Sequence, residues 1–175
     1  MGRETLNTFG RVKYLMLLGI GGVVIALDQW TKFLIHTRFI VGESVPILSS
    51  FFSLTYVRNQ GAAFGLLHKA PAYIREPLFL LIPFVAMGVI LMIFRKLRED
   101  QKWTGIALSL ISGGAIGNLI DRMRFKYVID FLDFYWGEYH WPAFNVADSC
   151  IVVGVGIMFV LSFLQEAPAQ STKAL

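Results

Sequence analysis

Apolar residues in this chain come in long uninterrupted blocks. They neither alternate every second position nor recur at three and four, so the pattern suits segments surrounded by lipid better than half-buried strands or surface helices. Four blocks are long enough to cross a bilayer. Residues 12–35 contain an apolar run from Tyr14 to Leu27 and extend past Asp28, Trp30 and Lys32. Residues 77–94 and 103–120 each hold 18 positions without a charge. At about 1.5 Å per residue that is roughly 27 Å of helix, close to the hydrocarbon thickness. The fourth block, residues 145–165, carries one charged residue, Asp148, near its start. The first block follows Arg3, Arg11 and Lys13 and has the outline of a secretory signal. Ala26-Leu27-Asp28 supplies no small-x-small cleavage site, so it reads as a retained helix.

The connections then sort by charge. Residues 95–102 include Arg95, Lys96, Arg98 and Lys102, four basic residues in eight positions, which predicts that this loop and both termini face the cytoplasm. The two longer connections fall outside. Within the first of them, residues 37–60 form the expected outer β segment, with strand character over 51–57 and turn residues Gly42 and Pro46 before it. A small sheet resting on the membrane surface is expected there. Asn59-Gln60-Gly61 ends the strand, and residues 62–67 suit a short interfacial helix. Residues 167–175 read as a polar, disordered tail. Without repeats or linkers, residues 1–175 form one expected membrane domain.

Composition narrows the class. Of the 175 residues, 55% are hydrophobic and 16% charged, against about 25% charged in soluble domains, and the mean hydropathy is +0.59. The net charge of +4 comes from clusters beside apolar blocks, so it argues for membrane topology and against nucleic acid. Cys150 is the single cysteine, which leaves no intrachain disulfide and no cysteine-based metal site. His36, His68 and His140 are far apart and no His-Glu-x-x-His pattern occurs, so no metal is expected.

The chemistry lies where polar residues interrupt the blocks. Asp28, Gln29 and Lys32 sit at the outer end of the first, Asn118, Asp121 and Arg122 at the outer end of the third, and Asn145 and Asp148 at the outer start of the fourth. Ionisable groups at membrane depth are costly unless they face the bundle interior or water, so this convergence marks a functional site. Asp28 and Lys32 stand four apart, acid first, as a structural ion pair would. Asn145 and Asp148 stand three apart on one face, close enough for the amide to bond the carboxyl, with Ser149 and Cys150 turned away. Gly113 and Gly117 give a spacing for close helix packing. Asp130 lies in the apolar stretch 127–132, where poor hydration disfavours its charged form. Two neighbouring carboxylates share a proton and can act as general acid and base. Spacing alone leaves Asp121 and Asp133 as alternatives to Asp130 in a pair with Asp148, although Arg122 beside Asp121 suits a brace.

The runs Asp28-Gln29-Trp30-Thr31-Lys32, Val57-Arg58-Asn59-Gln60-Gly61-Ala62-Ala63-Phe64-Gly65, Gly113 to Arg122, Val128-Ile129-Asp130-Phe131 and Phe144 to Ser149 resemble, in order, those of the lipoprotein signal peptidase (signal peptidase II) family. The resemblance covers nearly all of the chain except the tails. It implies a four-helix aspartic peptidase of the bacterial inner membrane that cuts before a diacylglyceryl-modified cysteine, with prolipoproteins and membrane lipids as partners and no cofactor. By this resemblance Asp130 and Asp148 are the catalytic pair. Asn59, Gly61, Asn118, Asp121, Arg122 and Asn145 fall on motif positions and take substrate-contact or site-shaping roles. Two rivals stand beside this reading. An intramembrane serine protease is one, although in Leu110-Ile111-Ser112-Gly113 leucine stands where a Gly-x-Ser-Gly motif needs glycine, and a serine paired with Lys32 has no exposed serine motif to support it. A small transporter or proton relay would also hold buried acids, but tends to show repeats and midplane charges.

Overall fold

A computed structural model of the chain describes residues 2–61 and 70–165, with side chains described for residues 12–61 and 70–164. Eight elements follow in order: α1 (Gly2–Arg38), β1 (Ser44–Leu48), β2 (Phe52–Asn59), α2 (Ala72–Lys96), α3 (Lys102–Phe125), β3 (Val128–Trp136), β4 (Tyr139–His140) and α4 (Val146–Gln165). The four helices contain segments of 27, 25, 24 and 19 residues that are long and apolar enough to cross a membrane. Large apolar side chains such as Leu15, Leu18, Leu81, Val152 and Leu164 stand exposed on their outer surfaces. In water such a surface would drive association. In lipid it is the expected exterior.

Helix α3 lies at the centre because its residues are small. Ser109, Ser112, Gly113, Gly114 and Gly117 are buried along it. The two hydroxyls bond back into their own helix, Ser109 Oγ to Gly105 O and Ser112 Oγ to Leu108 O, both at 2.7 Å. A Cβ built at Gly113 would lie 2.9 Å from the Gly21 carbonyl of α1, and one at Gly114 would strike the Ala147 carbonyl of α4. The glycine spacing thus serves close packing, as the sequence suggests, on two sides of α3 at once. Helix α2 begins at Ala72, five residues before Pro77, where the apolar block had set its start.

Between and after the helices, the strands form a four-stranded antiparallel sheet in the order β1-β2-β3-β4. The expected outer segment 37–60 begins later than expected, since residues 37 and 38 complete α1 and the first strand opens at Ser44. Half of the sheet was not foreseen as strand pairing. The apolar stretch around Asp130 is β3, paired with β2 so that Val57 faces Asp130 and Asn59 faces Val128. Ile35 from α1, Tyr56 from β2 and Ile129 and Phe131 from β3 pack into one cluster that fastens the sheet to the bundle. The expected helix at 62–67 and tail at 167–175 lie outside the described residues.

Gly114→Val should lower the thermal stability of the detergent-purified protein by about 1–3 kcal/mol, the usual cost of overpacking a close contact. Gly22→Ala, where an added Cβ meets nothing within 4 Å, should melt like the wild type. Equal melting of both variants would contradict the close approach of α3 and α4.

Candidate active site

The site is built outward from one cation. Lys32 is 1% exposed, and its ammonium has three N–H donors. They meet Asp28 Oδ2 at 2.9 Å, Asp121 Oδ2 at 3.1 Å and Asn118 Oδ1 at 2.8 Å. The acceptors extend the contact to other elements. Asp28 Oδ1 accepts the Ala147 N–H of α4 at 3.0 Å, and Asp121 Oδ2 accepts the Ile129 N–H of β3 at 3.0 Å. Gln29 donates to Asp121 Oδ1 at 3.0 Å and to the Gly117 carbonyl at 3.1 Å. The expected pair of Asp28 and Lys32 is therefore present and wider than a pair. Asp121 takes its charge partner from Lys32 rather than from its neighbour Arg122, because the helix turns adjacent residues about 100° apart.

Above this cluster three amides have their orientations fixed by what their oxygens accept. Asn118 Oδ1 takes Lys32, so its NH₂ points to Asp148 Oδ1 at 2.7 Å. Asn145 Oδ1 caps α4 by accepting the Asp148 N–H at 2.9 Å, so its NH₂ points to Asp130 Oδ1 at 2.7 Å and Asn118 Oδ1 at 3.1 Å. Asn59 Oδ1 accepts the Gly61 N–H at 2.9 Å, so its NH₂ points to Asp130 Oδ2 at 2.9 Å. The result is a continuous chain, Asn59–Asp130–Asn145–Asn118–Asp148. The i, i+3 spacing suits a bond from the Asn145 amide to the Asp148 carboxyl, but its NH₂ goes to Asp130, since the cap uses its oxygen on the Asp148 backbone.

Asp130 and Asp148 both line a cavity of about 690 Å³, together with Asn59, Asn118, Arg122, Trp141 and Val152 among others. Asp130 is 1% exposed. Burial, followed by the charge of Asp148, pushes its carboxyl up to about 7, against the lowering effect of the Asn59 and Asn145 amides and Lys32. Arg122 reaches the Gly61 carbonyl at 3.5 Å and lies over the Phe79 ring, 5.0 Å from its centroid. Ser149, expected to turn away, also lines the cavity, because a residue adjacent to Asp148 at a wide opening shares it. Its hydroxyl is engaged with the Asn145 carbonyl at 2.9 Å.

The remaining acid separates by strand parity. Asp133 is three residues after Asp130 on β3, so it projects from the opposite face of the sheet. There Asp133 Oδ2 accepts Thr55 Oγ1 at 2.9 Å and Asp133 Oδ1 meets His140 Nδ1 at 2.8 Å. Ser112 Oγ donates to the Leu108 carbonyl, and the three Lys32 donors are engaged by Asp28, Asp121 and Asn118, so neither is arranged as a serine and lysine pair. Among the described residues no group of three or more His, Cys, Asp or Glu side chains could hold a metal. Sequence reasoning missed Arg58, Gln60, Trp141, Val152 and Val153 of the cavity wall. Arg58 and Gln60 flank Asn59 within the run 57–65, and Trp141 stands close before the Asn145 motif, so these three offered a usable signal.

The family described as Signal peptidase (SPase) II matches residues 20–164. The chain is 54% identical over 142 residues to the lipoprotein signal peptidase of Geobacter sulfurreducens, covering 81% of this chain and 88% of that protein. It is 45% identical over 157 residues to that of Syntrophus aciditrophicus, covering 90% and 97%. A solved bacterial membrane enzyme, determined by the in meso method at 2.3 Å, is similar with a TM-score of 0.78 at 30% identity, covering 91% of this chain and 93% of that one.

Lys32→Met should destabilise the protein by about 3–5 kcal/mol, because it leaves two buried carboxylates without their cation. Asp28→Asn keeps an acceptor for the Ala147 N–H and should cost less. Thermal melting checks the order, and a Lys32→Met protein as stable as the wild type would contradict the central role of the ammonium.

Proposed function

The chain belongs to the signal peptidase II family, and on that premise we propose that it is an aspartic peptidase that removes the signal peptide from diacylglyceryl-modified prolipoproteins, cutting before the lipidated cysteine. The observation that carries the aspartic reading is that two carboxylates from different elements, Asp130 and Asp148, face one cavity and are joined through Asn145 and Asn118. Two such groups cannot both ionise at low cost, so they hold one proton between them. The ionised carboxylate takes a proton from water, which attacks the scissile carbonyl carbon, while the protonated partner donates to the carbonyl oxygen. The resulting tetrahedral carbon collapses when the leaving nitrogen takes a proton back. No covalent bond to the enzyme forms.

The amides give this chemistry its fixed geometry. Each donates to a carboxylate through an NH₂ whose direction is set by a bond on the amide oxygen, so neither acid needs to reorganise as charge moves. Asn59, Gly61, Asn118, Asp121, Arg122 and Asn145 act as site-shaping or substrate-contact residues, and Asp28 and Lys32 as the brace beneath them. Val152 and Val153 make the cavity wall on α4 apolar beside the acids, which suits a substrate whose acyl chains stay in lipid while its peptide reaches the carboxylates.

The orientation follows from the charges. Arg95, Lys96, Arg98 and Lys102 between α2 and α3 face the cytoplasm with both termini, and the acids lie near the outer face of the bacterial inner membrane. In a Cys150→Ala background, an impermeant thiol reagent applied to intact cells should label Glu138→Cys and spare Glu99→Cys. The opposite labelling would invert the topology.

Asp130→Asn and Asp148→Asn should each lower signal-peptide release from a lipidated prolipoprotein by several orders of magnitude, while thermal melting shows the protein still folded. The double variant should be hardly worse than either single one, since groups acting as a unit are not additive. Asp133→Asn should retain substantial activity. Robust cleavage by either single dyad variant would overturn the aspartic mechanism.

The Asp130 shift also predicts a pH dependence. A buried acid whose carboxyl is raised to about 7 holds its proton below that value and loses it above. The activity kcat/KM should therefore fall as pH rises through about 7, when the pair loses its shared proton. By linkage, the stability contributed by the protonated form is fully present below the ordinary value of 3.8 and is lost as pH rises from there to about 7. A profile flat from pH 6 to 9 would contradict it.

A further inference from the structure

At the ends remote from the carboxylates, α3 and α4 separate along one side. They are pressed together at Gly154, where an added Cβ would lie 2.7 Å from the Ala107 carbonyl. Beyond it a groove of about 420 Å³ opens, lined by Trp103, Gly156, Ile157, Val160, Leu161 and Leu164. A second concavity of about 310 Å³ adjoins it, sharing Trp103 and Leu161 and lined otherwise by Arg98, Asp100, Gln101 and Thr104. The first is wholly apolar, and its α4 side lies within the segment Val146–Leu164 that is able to cross a membrane. The second is polar and lies at the start of α3, beside the loop that joins it to α2.

We propose that these two concavities form one binding site for an anionic diacyl phospholipid, with an acyl chain along α4 past Gly156 and Leu164 and the phosphate at Arg98. The medium around a membrane-spanning segment offers acyl chains, which fits the apolar part. The polar part is selected by charge. Its own lining holds one cation, Arg98, and one carboxylate, Asp100, set in a loop, residues 95–102, whose four basic side chains, Arg95, Lys96, Arg98 and Lys102, outweigh Glu99 and Asp100 by +2. Arg98 is well exposed and holds Asp100 by Nε at 3.2 Å, which leaves the other guanidinium N–H groups for phosphate oxygens. Trp103 is also exposed and stands where the two parts meet, the level at which aromatic rings sit between acyl chain and headgroup.

The test is native mass spectrometry of the intact protein released from detergent with added phosphatidylglycerol, phosphatidylethanolamine or phosphatidylcholine. Wild-type protein should retain one phosphatidylglycerol in preference to either other lipid. Gly156→Leu places a side chain where an added Cβ meets nothing within 4 Å, so the fold should tolerate it while retention is lost. Arg98→Gln should weaken the preference for phosphatidylglycerol over phosphatidylcholine about fivefold, the effect of one basic residue near an anionic surface. Melting curves report the folding of both variants. Equal retention by Gly156→Leu would overturn the site, and so would a preference for phosphatidylethanolamine, which Asp100 would favour if it read an amine. No retained lipid on the wild type, as expected if residues 166–175 or a second copy of the chain cover the groove, would overturn it too.

Discussion

An ammonium group shut away from water must find an acceptor for each of its three N–H bonds, and Lys32 finds them on Asp28, Asp121 and Asn118. That requirement organises much of the molecule. Asp28 passes the contact to the backbone of α4 at Ala147, and Asp121 passes it to the backbone of β3 at Ile129. The two elements that bear Asp148 and Asp130 are thus both tied to the same cation through the carboxylates of Asp28 and Asp121. Glycines make this geometry possible. A Cβ built at Gly117 would lie 2.5 Å from Asp28 Oδ2, so the absence of a side chain on α3 is what lets α1 bring its acid so close.

From that cation the order spreads through amides rather than charges. Lys32 fixes the Asn118 oxygen, Asn118 presents its NH₂ to Asp148, and the helix cap at Asn145 sends its own NH₂ to Asp130. An asparagine reversed in place would present its oxygen to a carboxylate, which is repulsive. The bonds to Lys32, to the Asp148 N–H and to the Gly61 N–H exclude that reversal at Asn118, Asn145 and Asn59 respectively. Polar networks in low dielectric specify one arrangement only when every member is satisfied, and among the described residues no buried side-chain polar atom lacks a partner.

Much of this was legible in the chain. Apolar blocks gave the four helices, because in lipid the length of an apolar run decides whether it spans. The ion pair of Asp28 and Lys32 was visible from helical spacing, and the small residues at Gly113 and Gly117 from their packing need. What remained hidden depended on long-range pairing. Nothing local says that Val128 to Trp136 pairs with Phe52 to Asn59, so the bond from Asn59 to Asp130 could not be read. Nor could the choice between Asp121, Asp130 and Asp133 be made by composition. In the fold, strand parity sends Asp133 to the far face of β3, where it meets Thr55, and Lys32 engages Asp121. Family resemblance pointed to Asp130 by its motif. In the structure Asp130 is buried, bonded by two amides and placed at the cavity.

Whether Asp130 and Asp148 hold one proton between them near neutral pH is open to direct measurement. Infrared difference spectroscopy of protein labelled with carbon-13 at its aspartate carboxyls, wild type minus Asp130→Asn, observes that proton directly. A shared proton predicts a carboxylic-acid C=O band at pH 6 that is absent from the variant and disappears with a midpoint near the value of about 7 to which burial raises Asp130. A difference spectrum at pH 6 that contains only carboxylate bands would contradict it.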